Sequence, residues 1–206
     1  MKKLQILMST YNGGKYLAEQ LDSLIGQTVM QSGMVDLSIL VRDDGSVDST
    51  TDILRDYAKQ YEQVRYVAEA NCGVIESFFR LVDMADEDAD YLAFCDQDDV
   101  WMPEKMERAI KKIREVEDDR GFDLPVLYCG RPLLTDAELN PIDTVLYTGE
   151  VRPGFGNAIL ENIVYGCTSV VNRGMIRLLR MGHPAFTVMH DRWFYLLASC
   201  FGEVIF

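Results

Sequence analysis

The sequence is short of basic charge, of histidine and of paired cysteines. Twenty Lys and Arg stand against 33 Asp and Glu in 206 residues, a formal net charge of −13. A nucleic-acid groove needs clustered Lys and Arg, so no nucleic-acid partner is expected. The deficit still leaves room for a local basic pocket or for a phosphate ligand bridged by a cation. No apolar run reaches the roughly 18–20 residues of a spanning helix. Met1-Lys2-Lys3 leads straight into a short strand-like run, unlike a signal peptide, so a cytoplasmic location is expected. The five cysteines (72, 95, 129, 167 and 200) are odd in number, widely spaced and free of any CxxC. They point to reduced, mostly buried thiols and away from a disulfide framework or a zinc site.

Two phosphate-binding signatures are missing as well. No GxGxxG follows the first strand, and Gly13-Gly14-Lys15-Tyr16 has neither the spacing nor the Ser/Thr of a P-loop. A dinucleotide fold and a P-loop hydrolase are disfavoured. His183 and His190, the only histidines, have no Ser or Cys partner in a recognisable nucleophile motif, which disfavours covalent hydrolysis.

What is present is an ordinary globular composition, 48% hydrophobic and 26% charged. Apolar runs alternate with segments of helical period. Strands are predicted at Leu4–Met8, Leu37–Val41, Val64–Val67 and Tyr91–Cys95. Between them, Leu17, Leu21, Leu24 and Ile25 form one helical stripe, and Ile53, Leu54, Tyr57 and Tyr61 a second. Val74, Phe78, Leu81, Val82 and Ala85 form a third. A fourth helix is predicted to begin at Pro103, with Met106, Ile110 and Ile113 facing inward. Repeated β-α units imply an α/β fold with a mostly parallel central sheet flanked by helices.

After Asp123 the rhythm changes. Val126–Cys129 and Tyr165–Val171 read as strands, Gly174–Met181 as a helix capped by Asn172, and His190–Cys200 as another helix. Residues 131–158 carry Pro132, Pro141 and Pro153 and few periodic apolar residues. The second half is expected to extend the same sheet and close over a site, making residues 1–206 a single domain.

Ligands of such sheets bind beyond the carboxyl ends of the parallel strands. The polar clusters fall there: Ser9-Thr10-Tyr11-Asn12, Asp43-Asp44-Gly45-Ser46-Val47-Asp48, Asn71-Cys72-Gly73 and Asp96-Gln97-Asp98-Asp99. The last is the sharpest. Three carboxylates within four residues repel one another, and Mg2+ or Mn2+, which take hard oxygen ligands, would relieve the repulsion. Read blandly, it is a solvated acidic turn. Asp43–Asp48 could be only a strand-to-helix turn with Asp48 or Ser49 as cap, or could offer a carboxylate to a base or ribose. Asn71-x-Gly73 bares backbone near a helix start, suited to phosphate. Asp191 either caps a structural helix, with Trp193 and Phe194 as core, or acts as a general base. Asn162–Thr168, with Gly166-Cys167-Thr168, is either plain sheet or the acceptor wall.

In this order, Ser9-Thr10-Tyr11-Asn12, Asp43-Asp44-Gly45-Ser46-x-Asp48, Asn71-x-Gly73, Asp96-Gln97-Asp98-Asp99-x-Trp101-x-Pro103 and His190-Asp191 resemble the family 2 glycosyltransferases. Asp-Gln-Asp-Asp-Val-Trp and His-Asp-Arg-Trp are most similar to the bacterial rhamnosyltransferases of cell-surface polysaccharide synthesis. The resemblance implies the GT-A fold, with residues 1–120 the nucleotide-sugar-binding half and 121–206 the acceptor-side half. It implies that Ser9, Thr10, Tyr11, Asn12, Asp43, Asp44, Asn71, Gly73, Asp96 and Gln97 meet a nucleotide diphosphate sugar, a UDP- or dTDP-sugar. Asp98 and Asp99 would hold Mg2+ or Mn2+. Asp191 would be the catalytic base of an inverting transfer. Trp101, Gly166, Cys167, Thr168 and Trp193 would line the side of a glycan or lipid-linked acceptor, with peripheral membrane association. Members of the family continue past a segment like Gly202–Phe206, so the chain is expected to be cut short there. A non-catalytic nucleotide-sugar-binding module is the alternative.

Overall fold

Side-chain alternation along the first strands determines the layers. The computed structural model describes residues 1–143 and 151–206. In chain order its elements are β1 (Lys2–Thr10), α1 (Leu17–Ile25), α2 (Thr28–Gln31), β2 (Val35–Asp43), α3 (Thr50–Gln60), β3 (Val64–Ala68), α4 (Val74–Met84) and β4 (Tyr91–Cys95). They continue with α5 (Lys105–Arg120), β5 (Val126–Tyr128), α6 (Phe155–Leu160), β6 (Val170–Asn172), α7 (Arg173–Leu179), α8 (His190–Phe201) and β7 (Glu203–Ile205). Leu4, Ile6 and Met8 of β1, Leu37, Ile39 and Val41 of β2, and Tyr91, Ala93 and Cys95 of β4 pack into one apolar layer. That layer is closed by Leu17 and Leu21 of α1, Leu54 of α3 and Met106, Ile110 and Ile113 of α5. Leu7, Leu40, Leu92 and Phe94 point the other way, onto Phe78 and Val82 of α4 and Phe194 and Ala198 of α8. A period of 2 on strands buried on both faces produces this division. Each fully buried Leu or Phe contributes roughly 1.5–3 kcal/mol by leaving water.

The seven strands run in the order β3-β2-β1-β4-β6-β5-β7. The first four are mutually parallel, β6 is antiparallel to both β4 and β5, and β7 is parallel to β5. The sheet is therefore mixed, mostly parallel, and continuous from the first half of the chain into the second. Register decides where the loops meet. Thr10 pairs with Asp43 and Met8 with Cys95, so the chain leaves β1, β2 and β4 along one edge.

Four details depart from the sequence reading. Pro103 does not open α5; its carbonyl accepts the Thr28 N–H at 2.9 Å, and the helix starts at Lys105 after a turn. Tyr165–Val171 is not a continuous strand: Gly166–Thr168 forms a 3-10 turn and only Val170–Asn172 pairs. The Thr168 and Ser169 hydroxyls donate back to the Tyr165 carbonyl at 2.8 and 3.0 Å, which diverts the backbone from the ladder. Third, α2 and α6 are short helices with no sequence stripe long enough to announce them. Fourth, Glu203–Ile205 adds an edge strand to β5. Asn172 caps α7 as expected, accepting the Met175 N–H. All five cysteines are free thiols. Among the described residues no helix is long and apolar enough to cross a membrane.

Candidate functional site

The loop after β1 is held by its neighbours. Gln97 Oε1 accepts the Thr10 hydroxyl at 2.7 Å and the Tyr11 N–H at 2.8 Å, and Gln97 Nε2 donates to the Tyr11 carbonyl at 3.3 Å. On the other side Asn12, with φ of 49°, donates its N–H to the Ser46 hydroxyl and accepts the Val47 N–H on its side chain. Asp43 is buried and accepts the Ser46 N–H at 3.1 Å. Thr10, Asn12, Asp43 and Gln97 thus all help to hold these loops together.

Asp44 and Arg42 form a buried ion pair. The Arg42 guanidinium lies beneath the loops, fully buried, and donates to Asp44 Oδ1 (2.6 Å), Glu69 (3.0 Å), the Ser77 hydroxyl (2.9 Å) and the Ala70 carbonyl (3.1 Å). Asp44 also accepts the N–H groups of Cys72 (2.8 Å) and Gly73 (2.9 Å). Burial opposes ionisation of Asp44, but Arg42 and these backbone donors outweigh it and hold the carboxyl below its usual range. Gly73, with φ of 85°, makes the turn that brings its N–H to this carboxylate before α4 begins. Ser77 completes the path upward, sharing a 2.6 Å hydrogen bond with Ser9 at the end of β1.

Above this support lies a cavity of about 460 Å3. Ser9, Tyr11, Asp44, Asn71, Gly73, Val74, Asp96, Gln97 and Asp98 line it. A second cavity, about 420 Å3, opens on the far side of Asp98, with Asp99, Trp101, Lys105, Arg108, Tyr128, Cys167 and Thr168 among its walls. Its outer rim is Pro132, Leu133, Thr135 and Leu139. Asp98 belongs to both cavities.

The carboxylates at this junction oppose one another. Burial raises Asp96 to about 7, helped by the charges of Asp99, Asp98 and Asp191. Burial and Asp99 also raise Asp98. One oxygen each from Asp96 and Asp99 and the Cys167 sulfur lie within 4.8 Å of one another. This donor set fits a divalent cation, whose charge would offset the repulsion that adds to burial in raising Asp96. Asp98 lies outside that three-residue group.

Asp191, in the first turn of α8, is only 7% exposed. Its two oxygens accept the Asn162 side-chain amide and the Gly166 N–H, both at 3.0 Å. Burial pushes its carboxyl up, and those donors together with the Arg192 N–H work against the rise. Asp191 is not among the residues lining either cavity; its link to the junction is its charge on Asp96. His190 beside it stacks on Phe78 at 3.9 Å, and burial lowers it to about 3, so it is neutral. Trp193 packs against the inner apolar layer and not against a cavity.

Residues 5–130 match the family described as Glycosyl transferase family 2. The chain belongs to that family. A dTDP-rhamnosyl transferase, RfbG of Shigella flexneri, is 37% identical over 107 residues, covering 50% of this chain and 35% of that protein. The chain resembles the solved structure of S. aureus TarS 1–349 in complex with UDP (TM-score 0.64, 19% identity), covering 98% of this chain and 57% of that one. It also resembles the mannosyltransferase PcManGT from Pyrobaculum calidifontis in complex with GDP-Man and Mn2+ (TM-score 0.67, 16% identity), covering 98% of this chain and 54% of that one. These likenesses establish the GT-A fold. The chain spans about a third of RfbG and just over half of either solved chain.

For this family 2 chain, three contributors escaped the sequence reading. Lys105 Nζ stands 3.3 Å from the Trp101 ring centroid and donates to the Cys167 carbonyl. Burial lowers it to about 8, while Cys95, Cys167, Asp99 and Asp96 pull it back up. A lysine six residues after Asp99, behind a tryptophan, was the available signal. Arg42, a cation immediately before two aspartates, was another. Ser77 sits inside a plain helical stripe and carried none.

Proposed function

We propose that this chain binds a nucleotide diphosphate sugar in the 460 Å3 cavity and transfers the sugar, with inversion, to a glycan or lipid-linked acceptor entering from the 420 Å3 cavity. The process served would be bacterial cell-surface polysaccharide synthesis, with rhamnose as the sugar and a UDP- or dTDP-sugar as donor. Support for that assignment comes from the likeness to the dTDP-rhamnosyl transferase. The observation that carries the proposal is the meeting of two cavities at one acidic strand end in a member of this family. Ser9, Tyr11, Asn71 and Gly73 would meet the nucleotide, with Ser9 oriented through Ser77. Asp96, Asp98 and Asp99 would hold Mg2+ or Mn2+, which would supply charge stabilisation for the departing diphosphate. Asp191 would take the proton of the attacking acceptor hydroxyl, held for the task by Asn162 and Gly166. Its raised carboxyl makes it a better proton acceptor than an ordinary aspartate. Peripheral membrane association would place the site near a lipid-linked acceptor.

The test is calorimetry with UDP- and dTDP-sugars, with and without Mn2+, paired with a turnover assay on Asp191→Asn. Donor binding that requires metal and survives in the variant, with transfer reduced at least a hundredfold, is expected. Normal turnover in Asp191→Asn removes Asp191 from the reaction, and metal-independent binding removes the cation.

A further inference from the structure

Cys167 entered as part of an acceptor wall, yet its sulfur lies within 4.8 Å of a carboxylate oxygen of Asp96 and of Asp99. We infer that Cys167 is a protein ligand of the divalent cation and that its sulfur biases the site toward Mn2+ and softer ions over Mg2+. The inference rests on the metal-dependent reading above and adds a donor to it.

Three restraints hold the turn that carries the sulfur. The Gly166 N–H is tied to Asp191, the Thr168 hydroxyl to the Tyr165 carbonyl, and the carbonyl of Cys167 itself receives Lys105 Nζ. The sulfur lies within 4.8 Å of a carboxylate oxygen of Asp99. The Asp96 carboxylate accepts no hydrogen bond among the described residues, although its surroundings penalise its charge. Lys105 does not fill that role, because its ammonium is committed to the Trp101 ring and the Cys167 carbonyl. Two oxygens and a sulfur therefore converge with no protein cation between them.

On metal binding the thiol proton passes to solvent as the metal–sulfur bond forms. Asp96, Asp98, Asp99 and the thiolate on a dication would leave two negative charges, one of which the adjacent Lys105 offsets. Mg2+ demands near-octahedral oxygen ligands and gains little from sulfur. Mn2+ tolerates it better, and Cd2+ and Zn2+ seek it.

The experiment uses Cys200→Ser as reference, since Cys200 is an exposed thiol. Cd2+ is added to this protein and to Cys200→Ser/Cys167→Ser, and the near-ultraviolet sulfur-to-metal charge-transfer band is recorded. Mn2+ is then displaced by Mg2+ in the presence of UDP, with free Mn2+ read by electron paramagnetic resonance. The band should fall sharply in the double variant, and the Mn2+/Mg2+ affinity ratio should fall about tenfold. Serine keeps a hydroxyl toward Asp99, so a purely positioning role for Cys167 predicts an unchanged ratio. An unchanged ratio, or a band indifferent to Cys167, overturns the inference while leaving the metal intact. Absence of any Mn2+ binding overturns the metal reading and this inference together.

Discussion

Arg42 and Asp44 form an ion pair at 2.6 Å, with side chains 0% and 3% exposed, directly beneath the loops that frame the 460 Å3 cavity. Neither charge has water to return to. Removing one partner strands the other in a low-dielectric interior, at a cost of about 3–5 kcal/mol. Arg42→Met should therefore destabilise the chain by that amount in urea unfolding. Asp44→Asn should be milder, because the amide oxygen still accepts one N–H from Cys72 or Gly73. Equal stability of Arg42→Met and wild type would show the pair to be energetically idle.

Acid and base act on opposite partners of this edge. The folded Asp44 carboxyl is depressed, so its contribution is present above the unfolded value near 3.8 and is lost as pH falls through the folded value. Asp96 has the reverse sign. Raised to about 7, it favours the folded state fully below pH 3.8 and loses that contribution as pH climbs to and past 7. In EDTA, Asp96→Asn should raise Tm more at pH 8 than at pH 5. Mn2+ should raise the wild-type Tm at pH 8 and have little effect on the variant. A Tm difference independent of pH would mean that Asp96 ionises normally.

Much of this edge was legible in the chain. Leu4, Ile6 and Met8 against Leu7, and the Leu17–Leu21–Leu24 stripe, announce strand and helix through local period alone. The acidic runs mark the strand ends for the same reason. Roles inside the runs were less legible, because they depend on distant partners. Gln97 lines the cavity, but the sequence does not show that its oxygen also braces the first loop through Thr10 and Tyr11, 87 and 86 residues away. Gly166–Thr168 looks like strand until Asp191 claims the Gly166 N–H from 25 residues downstream. Cys167 joins Asp96 and Asp99 only once β6 has docked antiparallel on β4.

Gly166 lies where these long-range constraints meet. A Cβ there would stand 2.7 Å from His190 Nε2 and 3.7 Å from Asp191 Oδ2. His190 cannot retreat, because Phe78 is stacked 3.9 Å behind it and Phe194 lies at 5.5 Å. Gly166→Ala must then move the 3-10 turn, and with it the N–H that Asp191 accepts. Overpacking of this kind costs about 1–3 kcal/mol. Transfer should fall more steeply than stability, since a general base tolerates little displacement. Donor affinity should fall less than transfer, because Gly166 itself lines neither cavity while the same turn carries Cys167. Denaturation, calorimetry and turnover on one preparation separate the three effects. Unchanged turnover with a lowered Tm would show that the turn can shift without carrying Asp191 out of place.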